Sequence, residues 1–185
     1  ISVSESSTTP IDLFSIISGE QLGGNWNRIS GTGGIFNATA GTFTPEVGAT
    51  NSTFTYELTN SSSNCSSNTL ATINIDAIPT GLANTTNQTI NNNEFSNIIL
   101  SSTNVPSSNF TWTFTVNNIN GASNGSGTTI AQQLSLIDTN SNGYVDYFIT
   151  PINNTAIGTT FSARVNIQSP LSSESFVLDN FKLSP

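Results

Sequence analysis

The chain is expected to be all-β, with two β-sandwich domains in tandem, on three grounds. Phe110, Trp112, Phe114 and Val116 alternate with Thr111, Thr113 and Thr115, the period of two that marks a half-buried strand. The same alternation returns in Phe54, Tyr56 and Leu58 and in other short runs, with Gly, Asn and Ser between them. The runs form two consecutive sets, parted by Ile78-Pro79-Thr80-Gly81-Leu82. An aromatic face as large as that of Phe110 to Val116 requires a second sheet over it, because a lone hairpin is at best marginally stable. The expected domains are residues 1–78 and 79–185, with the boundary near Asp76 to Gly81.

From Pro10 to Ile17 the spacing fits a helix, a strand or a single helical turn equally well. Gly23 to Gly34, Gly-Gly-Asn-Trp-Asn-Arg-Ile-Ser-Gly-Thr-Gly-Gly, predicts a tight strand bounded by glycines and anchored by Trp26, and Ile35-Phe36 opens another. Thr53 to Thr59 and Leu70 to Ile75 predict strands of a hairpin whose loop contains Cys65. In the second set, strands are expected at Gln88 to Ile90, Phe95 to Leu100, Phe110 to Val116, Thr129 to Ile137, Tyr144 to Thr150 and Thr160 to Ile167. The tail from Ser175 to Leu183 predicts one more.

Composition narrows the partners. Hydrophobic residues make up 35% and charged residues 8%, so amides and hydroxyls supply the surface polarity. Disorder is the alternative for so polar a chain, but two Trp and eleven Phe at strand spacing favour folding. Formal net charge is −8, with Arg28, Arg164 and Lys182 the only cationic side chains. Nucleic acid and anionic lipid are both recognised by clustered Lys and Arg, so neither is an expected partner. No apolar run reaches membrane-spanning length, and the start carries no signal-peptide pattern and no Met, as in a processed chain or a fragment. Cys65 has no second cysteine in this sequence; a silent thiol is favoured over a bridge to a Cys outside this fragment. Histidine is absent, which removes the commonest general base and metal ligand.

Several stretches resemble known families. Thr9-Pro-Ile-Asp-Leu-Phe-Ser-Ile-Ile, Gly23-Gly-Asn-Trp, Gly34-Ile-Phe-Asn and Thr53-Phe-Thr-Tyr-Glu-Leu resemble repeats of Bacteroidetes gliding-motility adhesins of the SprB-like kind. Asn109-Phe-Thr-Trp-Thr, Gly121 to Ile130 and Val145-Asp-Tyr-Phe-Ile-Thr-Pro are similar to the PKD-like domains of the same giant proteins. The two resemblances span most of Thr9 to Ile167. They imply immunoglobulin-like folds, type IX secretion and display on the cell surface as a non-enzymatic spacer or adhesive repeat. Implied partners are neighbouring repeats of the same polypeptide or filament. The chain departs from the pattern at Ser4, where the family often carries a Cys, and in the acidic, Asn-rich turn at Asp138. The tail after Ser172 resembles instead the closing strand of jelly-roll carbohydrate-binding modules.

One stretch carries a metal signature. Asp138, Asn140, Asn142 and Asp146 stand at positions one, three, five and nine of a loop, with Gly143 at six and the Tyr144 carbonyl at seven, as a calcium loop opens. Position twelve is Ile149, so the closing carboxylate is missing, and Asn142-Gly143 is equally a hairpin turn. The turn is favoured; Ca2+ is the alternative cofactor and requires ligands from elsewhere in the fold. Nine Asn-X-Ser/Thr triplets, among them Asn37, Asn51, Asn60 and Asn84, are read as incidental in a chain this rich in those residues. Trp26 and Trp112 are expected in cores, whereas Tyr144, Tyr147 and Phe148 are the candidates for an exposed contact. Without a His, and with one Lys, no route to nucleophile activation is marked, and no pair of carboxylates stands out. The expected role is a surface adhesin or filament segment that touches polysaccharide or other hydrated surfaces. A carbohydrate-binding module and a strand-complementing filament subunit are the rivals.

Overall fold

Alternation becomes strand along most of the chain in the computed structural model, which describes residues 1–19, 21–60 and 62–170. Two compact units result. Of the described residues, unit 1 holds 1–81 with 102–109 and 150–159, and unit 2 holds 82–101, 110–149 and 160–170.

Unit 1 contains β1 (Ser2–Ser4), β2 (Ile11–Asp12), β3 (Asn25–Ser30), β4 (Ile35–Asn37), β5 (Thr42–Thr44), β6 (Ser52–Asn60) and β7 (Cys65–Asp76). One sheet runs β1-β7-β6-β3 and the other β2-β5-β4. The third, sixth and seventh strands thus share one layer while the second, fourth and fifth share the other, the immunoglobulin arrangement. The first strand pairs in parallel with the seventh, Val3 against Ile75. Between the layers lie Leu13, Trp26, Phe43, Phe54, Tyr56 and Ile73, all buried. Their rings meet edge-on or tilted: Phe14 to Trp26 at 5.3 Å, Trp26 to Tyr56 at 5.1 Å and Phe43 to Phe54 at 5.1 Å between centroids. Gly41, at φ +64°, lets the chain pass this cluster; a Cβ there would stand 2.6 Å from Trp26 Nε1. The open reading of residues 10–17 resolves into the two-residue β2 and one 3-10 turn, Leu13–Ser15, started by Asp12 accepting from the Phe14 amide at 3.0 Å.

Two buried carboxylates tie unit 1 together without a cation. Glu5 accepts from the amides of Gly48 (2.7 Å) and Ile78 (2.6 Å). Asp76 accepts from the Thr155 hydroxyl (2.7 Å), the Thr155 amide (3.2 Å) and Asn154 Nδ2 (3.1 Å). Beyond Asp76 the backbone stays held: Asn153 Nδ2 donates to Ala77 O, Asn104 Nδ2 to Ile78 O, and the Thr80 amide donates to Asn104 Oδ1. The expected boundary segment is therefore part of unit 1, and these bonds explain why 102–109 and 150–159 belong to it too.

The remaining strands are β8 (Gly81–Ala83), β9 (Asn87–Asn91), β10 (Ile98–Ser102), β11 (Asn109–Asn117), β12 (Ile119–Asn120), β13 (Gly125–Ser126), β14 (Thr129–Ile130), β15 (Ser135–Leu136), β16 (Gly143–Asn153), β17 (Ala156–Ile157) and β18 (Phe161–Gln168). One sheet runs β14-β10-β8 and a larger one β13-β11-β16-β18-β9, with β17 paired to β16. The last residues of β16 and all of β17 count with unit 1. Again the earliest strand of the large sheet, β9, lies parallel to the last, β18. Phe110, Trp112, Ile130, Val145, Tyr147 and Val165 lie in the core of unit 2. Trp112 Nε1 donates to Ser123 O at 3.2 Å.

The structure corrects three expectations. Thr129 to Ile137 is two short strands: β14 pairs with β10, whereas β15 pairs with β12. Ile130, Leu134 and Leu136 keep their buried alternation, but between them Gln132 exchanges hydrogen bonds with Ser96, through its amide to Ser96 Oγ and its carbonyl from the Ser96 amide. Phe95 makes only an isolated bridge, so β10 begins at Ile98. Val116, expected on the covered face, is 43% exposed at the end of β11. The expected tail strand lies outside the described residues.

Two titrations follow. Burial opposes charge on Asp76, but the hydrogen bonds from Thr155 and Asn154 outweigh it and hold the carboxyl below its ordinary value. Its contribution is present above the unfolded value of about 4 and is lost as pH falls below that. Asp76→Ala should cost about 1–3 kcal/mol at neutral pH by leaving buried donors unpaired, and thermal melts of Asp76→Asn should decline less steeply than wild type in acid. Burial pushes the Tyr147 phenol up to about 12, a Ser96 hydrogen bond acting the other way. The neutral form is thereby favoured, and its stability is complete below pH 10 and drains between 10 and 12. Tyr147→Phe should flatten that alkaline limb in melts across pH, while losing about 0.5–1.5 kcal/mol at pH 7 with its bond to Gln132.

Candidate functional site

Strand parity builds the outer face of the large sheet. Because Val145, Tyr147 and Ile149 point inward with Ala163, Val165 and Ile167, their neighbours Tyr144, Asp146 and Phe148 point outward with Ser162, Arg164 and Asn166. Thr111, Thr113 and Thr115 of β11 are exposed, as are Asn87 and Thr89 of β9. Register then places these side chains in rows. Tyr144 faces Asn166 and Asn166 faces Thr89; Asp146 faces Arg164 and Arg164 faces Asn87; Phe148 faces Ser162.

The middle row is an ion pair. Arg164 Nε donates to Asp146 Oδ1 at 2.7 Å and Nη2 to Oδ2 at 2.6 Å, the bidentate geometry in which guanidinium fits carboxylate best. The guanidinium lies over the Tyr144 ring, 4.1 Å from its centroid. Hydrogen bonding to Asp146 holds Arg164 above its ordinary value, with desolvation acting the other way. Beside the Tyr144 row is an open cleft of about 380 Å3, bordered also by Asn117, Asn142 and Gln168. Asn166 Nδ2 donates to Asn87 Oδ1 at 2.6 Å, which sets the orientation of its carboxamide.

The calcium-loop residues are partly gathered. Asp138 Oδ1 accepts from the Asn140 amide (3.0 Å) and Nδ2 (3.1 Å), and Oδ2 accepts from Ser141 Oγ (3.1 Å). Hydrogen bonds from Asn140 and Ser141 hold the Asp138 carboxyl below its ordinary value. Asn142 turns its Oδ1 to the Ser169 amide at 2.7 Å, Asp146 is taken by Arg164, and Tyr144 stands in the ladder opposite Asn166. Asp138 and Asn140 are thus brought together, and the oxygens of Asn142 and Asp146 go to other partners. The organiser of this turn, which sequence reasoning missed, is Asn118. At φ 59° it accepts from the Asp138 amide and donates to the carbonyls of Asp138 and Ser141. Among the described residues no three Asp, Glu or Cys side chains gather as a metal group.

Of the three aromatics expected at an exposed contact, Tyr147 is a correction: it is fully buried. Residues 144 and 147 are an odd number apart on one strand and cannot share a face. Phe148 is 41% exposed and Tyr144 is half-buried. Trp26 and Trp112 are core residues, as expected. Cys65 is exposed at the start of β7, opposite Asn60. Arg28 stacks on Phe43 and Phe54, its centre 5.1 and 5.8 Å from the rings, and donates to Gly33 O and Ser52 Oγ. Desolvation lowers its value.

No family model and no curated protein matches the chain. Solved structures do. The crystal structure of DIP-gamma IG1+IG2 is 10% identical, covers 69% of this chain and 63% of its own, and has a TM-score of 0.35. Fibronectin(III)-like modules of Clostridium thermocellum CbhA are 13% identical over 82% of this chain and 80% of theirs, TM-score 0.33. A chimeric titin Z1Z2-Z1Z2 tandem is 8% identical over 78% and 82%, TM-score 0.26. The chain spans less than two thirds of the first of these. The fold class itself is all-β, two tandem immunoglobulin-like sandwich units.

Since the Arg164–Asp146 pair is half-exposed, its support for the fold is expected to be small and screened by salt. Arg164→Gln should lower the melting temperature slightly at low ionic strength and by a still smaller amount in 1 M NaCl; an equal loss in both would refute the ionic origin.

Proposed function

We propose that this chain is a non-enzymatic segment of a cell-surface adhesin or filament, serving as spacer and adhesive repeat. The observation that carries this reading is the pair of separate apolar cores, each enclosed by its own sheets. Such units bear load and present a face without any reacting centre. Supporting it, the buried carboxylates Glu5 and Asp76 are engaged by backbone amides and neutral side chains, and the bidentate carboxylate Asp146 by Arg164. The held path from Asp76 to Thr80 also suits a segment that transmits tension, since it leaves no slack there. Its surface polarity of amides and hydroxyls suits contact with polysaccharide or another hydrated surface through many weak bonds. Neighbouring repeats of the same polypeptide are the proposed structural partners, with export as the proposed route to the surface.

Antibodies to the whole chain should label intact, unpermeabilised cells of the organism that makes it, and deleting its coding region in frame should reduce attachment to surfaces. Label that appears only after permeabilisation would sink the surface assignment.

A further inference from the structure

We propose that the cleft beside Tyr144, on the outer face of the large sheet of unit 2, binds a neutral glycan. The inference deepens the adhesive reading above and rests on it for its biological sense, but the site is argued from its own chemistry. Tyr144, Asn166 and Thr89 form one outward row on three adjacent strands. Neighbours in such a row sit about 5 Å apart at Cβ. Asn117 and Gln168 border the same opening, whose volume of about 380 Å3 falls in the range of small-ligand sites.

Three features select the ligand. No charged side chain lines the cleft among the described residues, and Asp146 and Arg164 of the adjoining row neutralise each other in bidentate contact. A charged ligand would find no free counter-charge there. Carboxamides offer a donor and an acceptor on one group, which matches neighbouring hydroxyls of a sugar. The side chains of Thr89, Asn117 and Gln168 make no hydrogen bond to the described residues and are exposed, so a ligand need not break protein contacts to reach them. Finally, Arg164 covers one side of the Tyr144 ring and holds its orientation, leaving an amphipathic ring at the cleft to meet the apolar C–H face of a pyranose. Phe148 stands four residues further along the same face, about 13 Å away along the strand, and is 41% exposed. A chain of several sugar units running along β16 would reach both rings, whereas a monosaccharide would reach one.

The test is affinity electrophoresis of the full chain in native gels that contain hydroxyethylcellulose, xylan, glucomannan or soluble starch, with polygalacturonate as the acidic comparison. At least one neutral polymer should retard the wild type, and polygalacturonate should not. Gln168→Ala and Asn166→Ala should each weaken retention by about threefold to tenfold, and Tyr144→Ala by more. Thr113→Ala, on the same face outside the cleft, should run as wild type. Should Tyr144→Ala melt early through loss of its Arg164 contact, Gln168→Ala reads the cleft independently, because that side chain makes no hydrogen bond to the described residues. Migration unchanged in every neutral polymer would overturn the proposal. So would equal retention in polygalacturonate, or variants at 166 and 168 that bind as wild type. Any of those results would leave surface labelling of cells untouched, so failure of the cleft and failure of the surface reading are separable.

Discussion

Every backbone amide removed from water must find an acceptor, and in a chain with so few charges that acceptor is repeatedly an asparagine side chain. Where a strand ends or a loop folds back, an Asn Oδ1 receives the orphan N–H. Asn51 serves Ile75, Asn84 serves Ile99, Asn92 serves Leu136, and Asn118 serves Asp138. Asn37 and Asn60 each accept from two amides of the turn that follows them. The short carboxamide reaches backbone without needing a counter-ion, and its Nδ2 remains available as a donor. Asn118 and Asn104 use both ends in this way. The composition that first suggests disorder is therefore part of the fold's hydrogen-bond framework.

This changes the meaning of several sequence signals. Asn37, Asn51, Asn60 and Asn84 all head glycosylation triplets, yet each spends its carbonyl oxygen on backbone amides. Among the described residues, the four non-glycine positions with positive φ are also Asn, the type that tolerates that region best. The Asp138 turn follows the same logic: its alternating oxygens organise backbone and side-chain donors as an Asx turn does, with Asn118 reaching in from outside the motif. A loop motif read by spacing alone has no means of including that residue.

How much was legible follows from the length of each signal. Long alternating runs identified β6, β7, β11, β16 and β18 because four or more residues of fixed parity are hard to produce by chance. Two- and three-residue strands such as β5 and β8 carry too little alternation to stand out from a loop; Thr42-Phe43-Thr44 offered only one apolar residue between Gly41 and Pro45. Thr129 to Ile137 misled for a different reason. Parity reports which side faces the core, and Ile130, Leu134 and Leu136 obeyed it, but parity is silent about which partner strand each residue meets. Tyr147 was an avoidable miss, since its odd spacing from Tyr144 already placed the two on opposite faces.

The outer-face row shows where reading by residue ends and topology begins. Tyr144, Asn166 and Thr89 are separated by 22 and 77 positions in the chain. They meet only because β18 runs antiparallel to β16 and parallel to β9, so that a single register value aligns all three. Nothing in the local sequence around Thr89 marks it; its neighbours Gln88 and Ile90 are ordinary strand residues. A parallel pairing between the earliest and latest strands of the large sheet recurs in unit 1, where β1 lies along β7. Pairing the earliest strand of a sheet with its latest thus brings residues far apart in the chain into one row. In unit 2 that pairing sets a threonine and an asparagine beside a tyrosine whose ring is steadied by an arginine–aspartate pair, so a polar outer row arises from the same pairing that completes the sheet.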